Sequence, residues 1–520
     1  MTKMTKSFVL FSLLILIAFN TIAQPVFQKN YATTVSIEGI FAGPANGSGI
    51  IICGRSIASP YDAMLMKTDL NGTLQWAKTY GGSQEDIFEV ARPTTDGGYI
   101  AVGKTKSFGA GDYDVLLTKF DANGNVTWTK TYGTSDGDWG SDVKQSADGG
   151  YIITGSSRNS SSVTQGSIYL IKTNSSGVIT WSTMWGNQMG FEGISIFQTT
   201  DGGYLCGGRA GNGFNILIKT NNLGVITWAR NNKAQTLQSV NLQQVIQTAD
   251  GGYAIVGQGS ALNNDWLISL AKTDASGVMQ WTKTFTTPSS FAKNIGDGIL
   301  QAWDGSFLIV GQSEDNPSGL LFLRTSSTGT LISAKVSTAI GSQNYSVLRL
   351  SRTSDGGFVA ASANNGVFLM KSDGYGNTGC TTSNATITEN TPTYFDTQIT
   401  TLTNSGTTIT NSPTITGTTI TLNATTLCTG TDIEENMLND KVSIFPNPNS
   451  GKFIVKIQSI NELYQDGGIE IYNMIGEKVY TSSFNQQLSK EIDFTNTAKG
   501  IYFIKVSYGD KIFTEKIVIQ

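Results

Sequence analysis

The sequence predicts an all-β protein: a seven-bladed β-propeller of about 50-residue repeats, followed by a small C-terminal β-sandwich. Three observations carry this prediction. A short Gly-rich phrase recurs at a regular period, runs of β-branched and aromatic residues separate its copies, and the composition changes over residues 441–520. A regular period of about 50 residues is typical of stacked supersecondary units.

The repeated phrase is a small or polar residue followed by Asp-Gly-Gly-Tyr. Full copies begin at Thr95, Ala147, Thr200 and Ala249. The phrase then decays to Asp-Gly-Ser-Phe and Asp-Gly-Gly-Phe, and a degenerate Asn-Gly-Ser-Gly stands one period upstream of the first full copy. The seven anchors, at residues 46, 96, 148, 201, 250, 304 and 355, predict seven blades within residues 24–383.

Each repeat is interpreted as four short strands. In residues 86–133 they are Ile87–Val90, Tyr99–Gly103, Val115–Phe120 and Val126–Tyr132. The Asp-Gly and Asn-Gly dipeptides between them are hairpin signals, because these residues tolerate the positive φ of tight turns. The second strands are apolar on both faces, which indicates sheets covered on both sides. Four such strands per repeat make a propeller blade.

One fixed slot in the fourth strand carries a tryptophan in five successive repeats: Trp76, Trp128, Trp181, Trp228 and Trp281. An aromatic binding ladder is one interpretation, but one ring per repeat at a constant position favours packing between adjacent blades. The segment Phe27–Tyr31 matches the fourth-strand pattern Trp76–Tyr80. We therefore expect Phe27–Tyr31 to be the outer strand of the last blade and to close the ring.

The first 23 residues predict a secretory signal peptide. Lys3 and Lys6 precede an apolar run over residues 8–19, and small residues lead to cleavage between Ala23 and Gln24. The run is shorter than the roughly 20 residues that a membrane-spanning helix needs, although a retained anchor is the alternative. No cysteine follows for lipidation, and no later stretch is apolar enough to span a membrane in the mature form.

Composition excludes several classes of function. The net charge is −4 and charged residues make up only 14% of the chain, so no basic patch suggests a nucleic-acid partner. The chain contains no histidine, which removes Ser-His-Asp and Cys-His catalysis and any His-ligated metal site. Catalysis would have to use carboxylates, Tyr, Lys or calcium. No catalytic constellation is recognisable, and whether the protein is an enzyme stays open.

The four cysteines fall into two groups. Cys53 and Cys206 lie in apolar strands and are expected to be buried free thiols. Cys380 and Cys428 flank a Thr-rich segment and are candidates for a disulfide in an oxidising compartment. This uncharged Thr/Asn-rich stretch, residues 384–440, is interpreted as a linker.

The candidate binding surface follows from the repeat. The Asp-Gly-Gly and Asn-Gly turns share one face of a four-stranded meander, and the loops of variable length and chemistry share the other. Function concentrates in loops on a rigid scaffold, so the variable face is favoured. An alternative is that Tyr61, Tyr113 and Trp266 only fill a common slot before the third strand. The ligand-binding candidates on this face are Tyr61, Phe108, Tyr113, Trp139, Trp185 and Trp266, with Asp138, Asp142 and Glu192 as polar partners.

Two further hypotheses concern carboxylates. Asp136, Asp138 and Asp142 form an oxygen-rich cluster of the kind that calcium uses, but without the spacing of an EF-hand loop and in one repeat only. Calcium is the one cofactor that the sequence suggests. The Asp-Gly-Gly phrase loosely resembles the Asp-box of sialidase propellers, with its aromatic residue at another offset and few arginines in the chain. A glycosidase using two carboxylates from different blades is the alternative to a binding protein.

The C-terminal residues 441–520 read as a small antiparallel sandwich of about seven short strands. They contain Pro446-Asn447-Pro448, then Tyr472-Asn473 with Gly476, then Gly500-Ile501-Tyr502 and a final basic and apolar strand. In this combination the segment closely resembles the C-terminal sorting domain of the type IX secretion system of Bacteroidota, and the repeats resemble those of other secreted Bacteroidota proteins. The resemblance implies an Ig-like fold, the type IX secretion machinery as partner, and a released or cell-surface protein. With the repeats, it favours a secreted binding or scaffold protein for a glycan or a protein ligand.

Overall fold

The structure is a computed structural model with two compact units, Met1–Thr431 and Asp432–Gln520. Every regular element in the described part of the chain is a β-strand. The structure describes residues 26–32, 37–47, 49–57, 59–158, 166–186, 190–263, 265–288, 293–302, 304–314, 319–337, 348–363, 366–373, 382–399, 403–404, 409–430, 441–445, 451–458, 467–473, 477–484, 489–495, 497–508 and 511–519.

The repeats form strands with short connections. Their bounds are β1 Val26–Ala32, β2 Ile37–Ala45, β3 Gly49–Ser56, β4 Ala63–Asp69, β5 Leu74–Tyr80, β6 Asp86–Pro93, β7 Tyr99–Thr105, β8 Asp114–Phe120, β9 Val126–Gly133, β10 Gly137–Gln145, β11 Tyr151–Arg158, β12 Gly166–Thr173, β13 Ile179–Gly186, β14 Phe191–Gln198, β15 Tyr204–Ala210, β16 Phe214–Thr220, β17 Ile226–Ala234, β18 Leu237–Gln247, β19 Tyr253–Ala261, β20 Trp266–Thr273, β21 Met279–Thr286, β22 Asn294–Gln301, β23 Phe307–Ser313, β24 Gly319–Thr325, β25 Leu331–Ser337, β26 Leu348–Arg352, β27 Phe358–Ala363 and β28 Val367–Ser372.

These strands form seven antiparallel sheets, numbered here in chain order. Sheets 1 to 6 each begin with four consecutive strands: β2–β5, β6–β9, β10–β13, β14–β17, β18–β21 and β22–β25. Sheet 7 contains β26, β27 and β28, and its fourth strand is β1, which pairs with β28 from Phe27↔Lys371 to Tyr31↔Val367. The predicted pairing of the N-terminal segment with the last repeat is confirmed.

The Thr-rich segment is not a linker. Thr382–Gly430, called the belt below, adds one antiparallel strand to the outer edge of every sheet, in the order 6, 5, 4, 3, 2, 1, 7. The segment forms strands because the outer edge of each sheet has unpaired backbone N–H and C=O groups, and such an open edge is a template for another strand. The outer strand of sheet 7 is therefore β35 and not Phe27–Tyr31. The belt strands are β29 Thr382–Asn384, β30 Thr388–Asn390, β31 Tyr394–Gln398, β32 Thr403–Asn404, β33 Ile409–Asn411, β34 Gly417–Thr419 and β35 Asn423–Gly430.

Adjacent sheets pack face to face. The first strand of each sheet contacts the first strand of the next, and β26 of sheet 7 contacts β2 of sheet 1. The fourth-strand tryptophans pack on the aromatic residue of the repeated phrase in the following sheet, with ring centroids 5.9 to 6.2 Å apart. The prediction that these rings pack between repeats is confirmed.

The repeated Asp-Gly-Gly-Tyr phrase is a structural unit of each turn. In sheet 2, the Asp96 carboxylate accepts hydrogen bonds from the Thr94 hydroxyl (2.6 Å) and the Gly98 N–H (3.1 Å). Gly97 adopts φ +87°, which a residue with a side chain rarely adopts. The nearly buried Lys119 of β8 reaches back to Asp96 at 2.8 Å. The same carboxylate–cation pair recurs as Asp148–Lys172, Asp201–Lys219, Asp250–Lys272, Asp304–Arg324 and Asp355–Lys371.

The second unit contains two antiparallel sheets around one apolar core. A three-stranded sheet has the order β36-β37-β40 and a four-stranded sheet the order β39-β38-β41-β42. Phe453 and Val455 of the first sheet and Ile469, Ile471 and Ile504 of the second are buried in the shared core. The predicted small sandwich is confirmed. Its strands are β36 Lys441–Phe445, β37 Lys452–Gln458, β38 Gly467–Tyr472, β39 Lys478–Phe484, β40 Ser489–Asp493, β41 Gly500–Tyr508 and β42 Lys511–Ile519.

Candidate binding surface and central cavity

Each sheet of the first unit has two chemically different ends. In sheet 3, Arg158 pairs with Gly166 at one end and Tyr151 pairs with Thr173 at the other. The end with the connections from second to third strands and from sheet to sheet is called the variable end. The opposite end carries the Asp-Gly-Gly and Asn-Gly turns and is called the uniform end.

Several aromatic rings at the variable end lie under a cation. The Arg55 guanidinium lies 5.2 Å from the ring centroid of Tyr61. Tyr113 has two lysines over its ring, Lys104 at 4.4 Å and Lys106 at 4.3 Å. Tyr61, Tyr113 and Trp266 each precede the lysine of their third strand by the same number of residues, so these residues do fill a common slot. The lysines are Lys67, Lys119 and Lys272. A cation held over a ring is stabilised by the ring quadrupole. These cations also form ion pairs with carboxylates, Arg55 with Glu38 at 2.8 Å and Lys106 with Asp112 at 3.0 Å.

The pattern continues in sheets 4 and 5. The Lys233 ammonium is 4.5 Å from the Phe214 ring, and Lys293 is 5.8 Å from the ring of Trp266. Trp266 is 38% exposed, the largest exposed fraction among the described tryptophans. Phe214 was not selected from the sequence, although it stands at the start of a third strand like the others.

Trp139 and Glu192 come together through arginine. The Arg158 guanidinium lies 4.9 Å from the Trp139 ring and also forms an ion pair with Glu192. Arg209 approaches the same carboxylate at 3.5 Å. This group joins sheets 3 and 4 at the variable end, where Trp139 and Glu192 are half-buried.

Three of the predicted surface residues are not exposed. Trp185 is only 4% exposed, because its ring packs in the core between sheets 3 and 4. Asp138 and Asp142 are also buried, since both lie within strand β10 rather than in a loop. The expectation of exposure is wrong for these three. Phe108 is half-buried and packs against the core of the first sheets.

Two carboxylate pairs at the variable end were missed. Oxygens of Asp114 and Asp138 lie 2.0 and 3.0 Å from the position that a Cβ on Gly133 would occupy, so the two carboxyl groups approach each other between sheets 2 and 3. Burial raises the pKa of Asp138 to about 6, and Asp114 adds to the shift. Asp62 and Asp86 repeat the arrangement between sheets 1 and 2.

These pairs hold the loops of the variable end. Asp114 accepts hydrogen bonds from the Ala110 and Gly111 N–H groups, and Asp138 accepts one from the Thr134 N–H at 2.6 Å. The signal for both pairs was present in the sequence as a spacing, because Asp62–Asp86 and Asp114–Asp138 are separated by the same number of residues in successive repeats.

The calcium candidates do not converge. Among the described residues, no group of three or more His, Cys, Asp or Glu side chains is arranged to hold a metal ion. Asp138 accepts hydrogen bonds from Thr134, whereas Asp142 forms ion pairs with Arg92 at 2.9 Å and Arg349 at 3.2 Å. Asp136 is the third candidate, and its backbone N–H donates a hydrogen bond to the Thr134 hydroxyl oxygen at 3.0 Å.

Asp142 belongs instead to a central cavity of about 150 Å³ between the first strands. Arg92 of β6, Asp142 and Lys144 of β10, Gln244 of β18 and Arg349 of β26 line it. Burial favours the neutral form of Asp142, but the two arginines outweigh it and lower the pKa of Asp142 to about 2. Sequence reasoning looked for function in loops, and this cavity is built by strands.

The two predictions about cysteines have different outcomes. Cys53 and Cys206 are buried free thiols, as expected. Burial raises the pKa of the Cys206 thiol to about 12. Cys380 and the signal-cleavage residues Ala23 and Gln24 lie outside the described residues, and Cys428 is described only as part of the backbone of β35.

Residues 443–520 match the secretion system C-terminal sorting domain. The match confirms the predicted tail. The chain is exported through type IX secretion to the cell surface or the extracellular space, and the domain implies interaction with the type IX machinery. In the part of the chain that the structure describes, no helix has the length and apolar character needed to cross a membrane.

Other comparisons are weak. No curated protein matches the chain. Sqt1 from Chaetomium thermophilum is similar at 10% identity and a TM-score of 0.38, covering 67% of this chain and 99% of that chain. The C-terminal domain of PilY1 from Pseudomonas aeruginosa is similar at 11% identity and a TM-score of 0.35, covering 64% and 92%. Neither similarity carries an argument about fold or function.

Proposed function

We propose that the exported protein is a seven-bladed β-propeller that binds a glycan or a surface protein at its variable end. Three observations support the ring: there are seven sheets, each first strand contacts the next, and sheets 7 and 1 are in contact. The pairing of β1 with β28 supports closure, because it joins the two ends of the repeat region in one sheet. A propeller also leaves few exposed sheet edges, which suits a protein that works outside the cell.

The recurrent cation–aromatic pairs carry the binding proposal. Tyr61, Tyr113, Trp139 and Trp266 are partly exposed rings on separate sheets, and each lies under a Lys or Arg side chain at the same end of the structure. Aromatic rings contribute contact area, and the ion pairs beside them, such as Arg55–Glu38 and Lys106–Asp112, offer charged groups to a polar ligand. Cations also lie over rings at the uniform end, but there Phe27 and Phe358 are only 1% exposed and Trp76 packs on Tyr99 of the next sheet.

A glycan array with the exported chain tests this proposal, with a panel of surface proteins as the second arm. The chain should keep the belt, because a fragment ending at residue 383 would lack six of the seven belt strands and truncate the other. Tyr113→Ala and Trp266→Ala should each weaken binding of the selected ligand at least about tenfold. Leu223→Ala is the matched control, since Leu223 is 69% exposed in a turn at the uniform end. Loss of binding in that control alone, or no ligand in either arm, would contradict the proposal.

The glycosidase alternative requires an accessible carboxylate pair. Asp114 and Asp138 are both at most 1% exposed, and the other pair has only the half-buried Asp62 within reach of solvent, because Asp86 is 0% exposed. Glu192, the other acidic candidate, is committed to Arg158 and Arg209. These contacts support the binding function over hydrolysis.

A further inference from the structure

The central cavity contains more positive than negative charge. Arg92, Lys144 and Arg349 line it together with one carboxylate, Asp142. Glu89 of β6 and the Cys53 thiol are the other acidic groups that interact with Arg349, and burial raises the pKa of both. Even with Glu89 ionised, the group keeps a net positive charge, which is costly in a partly buried site unless an anion compensates it.

Three hydrogen-bond donors in this cavity have no acceptor in the described part of the chain. Lys144 Nζ forms no ion pair or hydrogen bond. Arg349 Nη1 is buried without a hydrogen bond, although it lies 3.2 Å from Asp142. The Gln244 carbonyl oxygen accepts from the Ile299 N–H at 2.9 Å, and its amide nitrogen has no bond of its own. Arg349 Nη1 is a buried donor, and such donors are normally satisfied, whereas Lys144 and Gln244 are half-buried. An acceptor-rich occupant of the cavity would satisfy all three.

The backbone holds Arg349 in place at some cost. Each first strand contains a β-bulge, and that of β26 falls between Leu348 and Ser351. Arg349 there adopts φ +59°, the only positive φ of a non-glycine residue in the described chain. Such a conformation is unfavourable for a residue with a side chain and is usually kept at functional positions. A hydrogen bond from Arg349 Nη2 to the Ile194 carbonyl oxygen fixes the guanidinium across the cavity.

We propose that this cavity binds a compact oxyanion, with Lys144, Gln244 and Arg349 as its donors. Sulfate, phosphate and carboxylate share the needed chemistry, since each presents several acceptor oxygens to charged donors. The volume of about 150 Å³ accommodates such an ion, because a single water takes up about 30 Å³ of liquid volume. The site lies on the first strands near the uniform end, apart from the aromatic rings of the variable end, so it is independent of the function proposed above.

The charge state of Lys144 gives the site a pH dependence. Burial lowers the pKa of Lys144 to about 7, Arg92 and Arg349 contribute, and Asp142 opposes the shift. The lining residues of β14 and β18 carry no charge. A bound anion stabilises the protonated amine and therefore raises its pKa, so binding takes up a proton above pH 7. Affinity should fall as the pH rises through this range.

Calorimetric titration of the full exported chain with sodium sulfate tests the proposal, because sulfate keeps its charge between pH 6 and 8.5. Sulfate should bind at pH 6 and about tenfold or more weaker at pH 8.5. Lys144→Met should lose at least tenfold affinity and the pH dependence, whereas Lys130→Met, at the outer edge beside Ser412, should retain both. Parallel titrations with phosphate and acetate identify which oxyanion fits best.

The same experiment separates binding from folding. Lys144→Met removes an uncompensated charge, so its melting temperature should be unchanged or higher. If that variant does not fold, the number of protons taken up by the wild-type protein tests the proposal instead. At pH 8 the wild-type protein should take up close to one proton per sulfate bound. Calorimetry in two buffers of different ionisation enthalpy measures this number. Absence of saturable binding of all three anions at pH 6, unchanged affinity in Lys144→Met, or binding without proton uptake at pH 8 would each overturn the proposal.

Discussion

Replacing Asp142 by asparagine should destabilise the first unit, because two arginines would lose their counter-charge. Asp142 is 1% exposed and forms ion pairs with Arg92 and Arg349. Its pKa falls from 3.8 to about 2 in spite of burial, which corresponds to about 2–3 kcal/mol of stabilisation. A neutral amide at this position would also leave two guanidinium groups without a counter-charge, so the total loss for Asp142→Asn should reach about 3–5 kcal/mol.

The pH dependence of this loss has a defined sign. A carboxyl group with a lower pKa in the folded than in the unfolded state stabilises the protein above pH 4, and this contribution disappears as the pH falls towards 2. The difference in free energy of unfolding between wild type and Asp142→Asn should therefore be largest at pH 7. At pH 3 roughly half of the charge contribution remains.

Urea unfolding at pH 7 and at pH 3 measures both quantities. Asp274→Asn is the matched control, because Asp274 caps an exposed turn and asparagine already fills the same role at Asn174 and Asn221. The control should change the free energy of unfolding by less than about 0.5 kcal/mol. Equal losses for the two variants, or a loss for Asp142→Asn that does not shrink at pH 3, would refute the ion-pair argument.

Three further predictions concern packing, thiols and export. Trp128→Ala should lower the free energy of unfolding by about 3 kcal/mol, seen as a lower urea midpoint, because its ring packs on the next sheet. Cys53 and Cys206 should resist iodoacetamide at pH 8 in the native protein and react in urea; native labelling would contradict their burial. Removing residues 441–520 should retain the protein in the periplasm, as cell fractionation would show, whereas continued export would contradict the role of the tail.

The regular parts of the fold were predictable because each repeat needs the same turn and the same packing contact, and therefore carries the same residues at the same positions. An Asp before two glycines marks a turn, and a Trp one period apart marks a packing slot. The match of Phe27–Tyr31 to Trp76–Tyr80 was enough to place β1 beside β28. These inferences compare one repeat with another, so they do not depend on knowing the three-dimensional structure.

The candidate site was less predictable because exposure depends on where a residue sits along its strand. Trp185 looked like Trp266 in the sequence, yet it is 4% exposed and Trp266 is 38% exposed. Trp185 ends a fourth strand in a packed interface, whereas Trp266 begins a third strand at the variable end. The central cavity was invisible for another reason: Arg92, Lys144 and Arg349 come from three sheets that only the tertiary structure brings together.

The belt shows why low hydrophobicity alone does not identify a linker. Strand prediction relies on apolar residues that alternate towards a core, but a strand added to an existing edge gains backbone hydrogen bonds without a full apolar face of its own. Threonine suits this position because it favours extended backbone and tolerates solvent on its outer side. Isolated apolar residues such as Ile399, Ile415 and Leu422 then pack into the cores that the sheets already provide. The belt therefore depends on the sheets for its structure, and in return it covers the seven edges that would otherwise face other chains outside the cell.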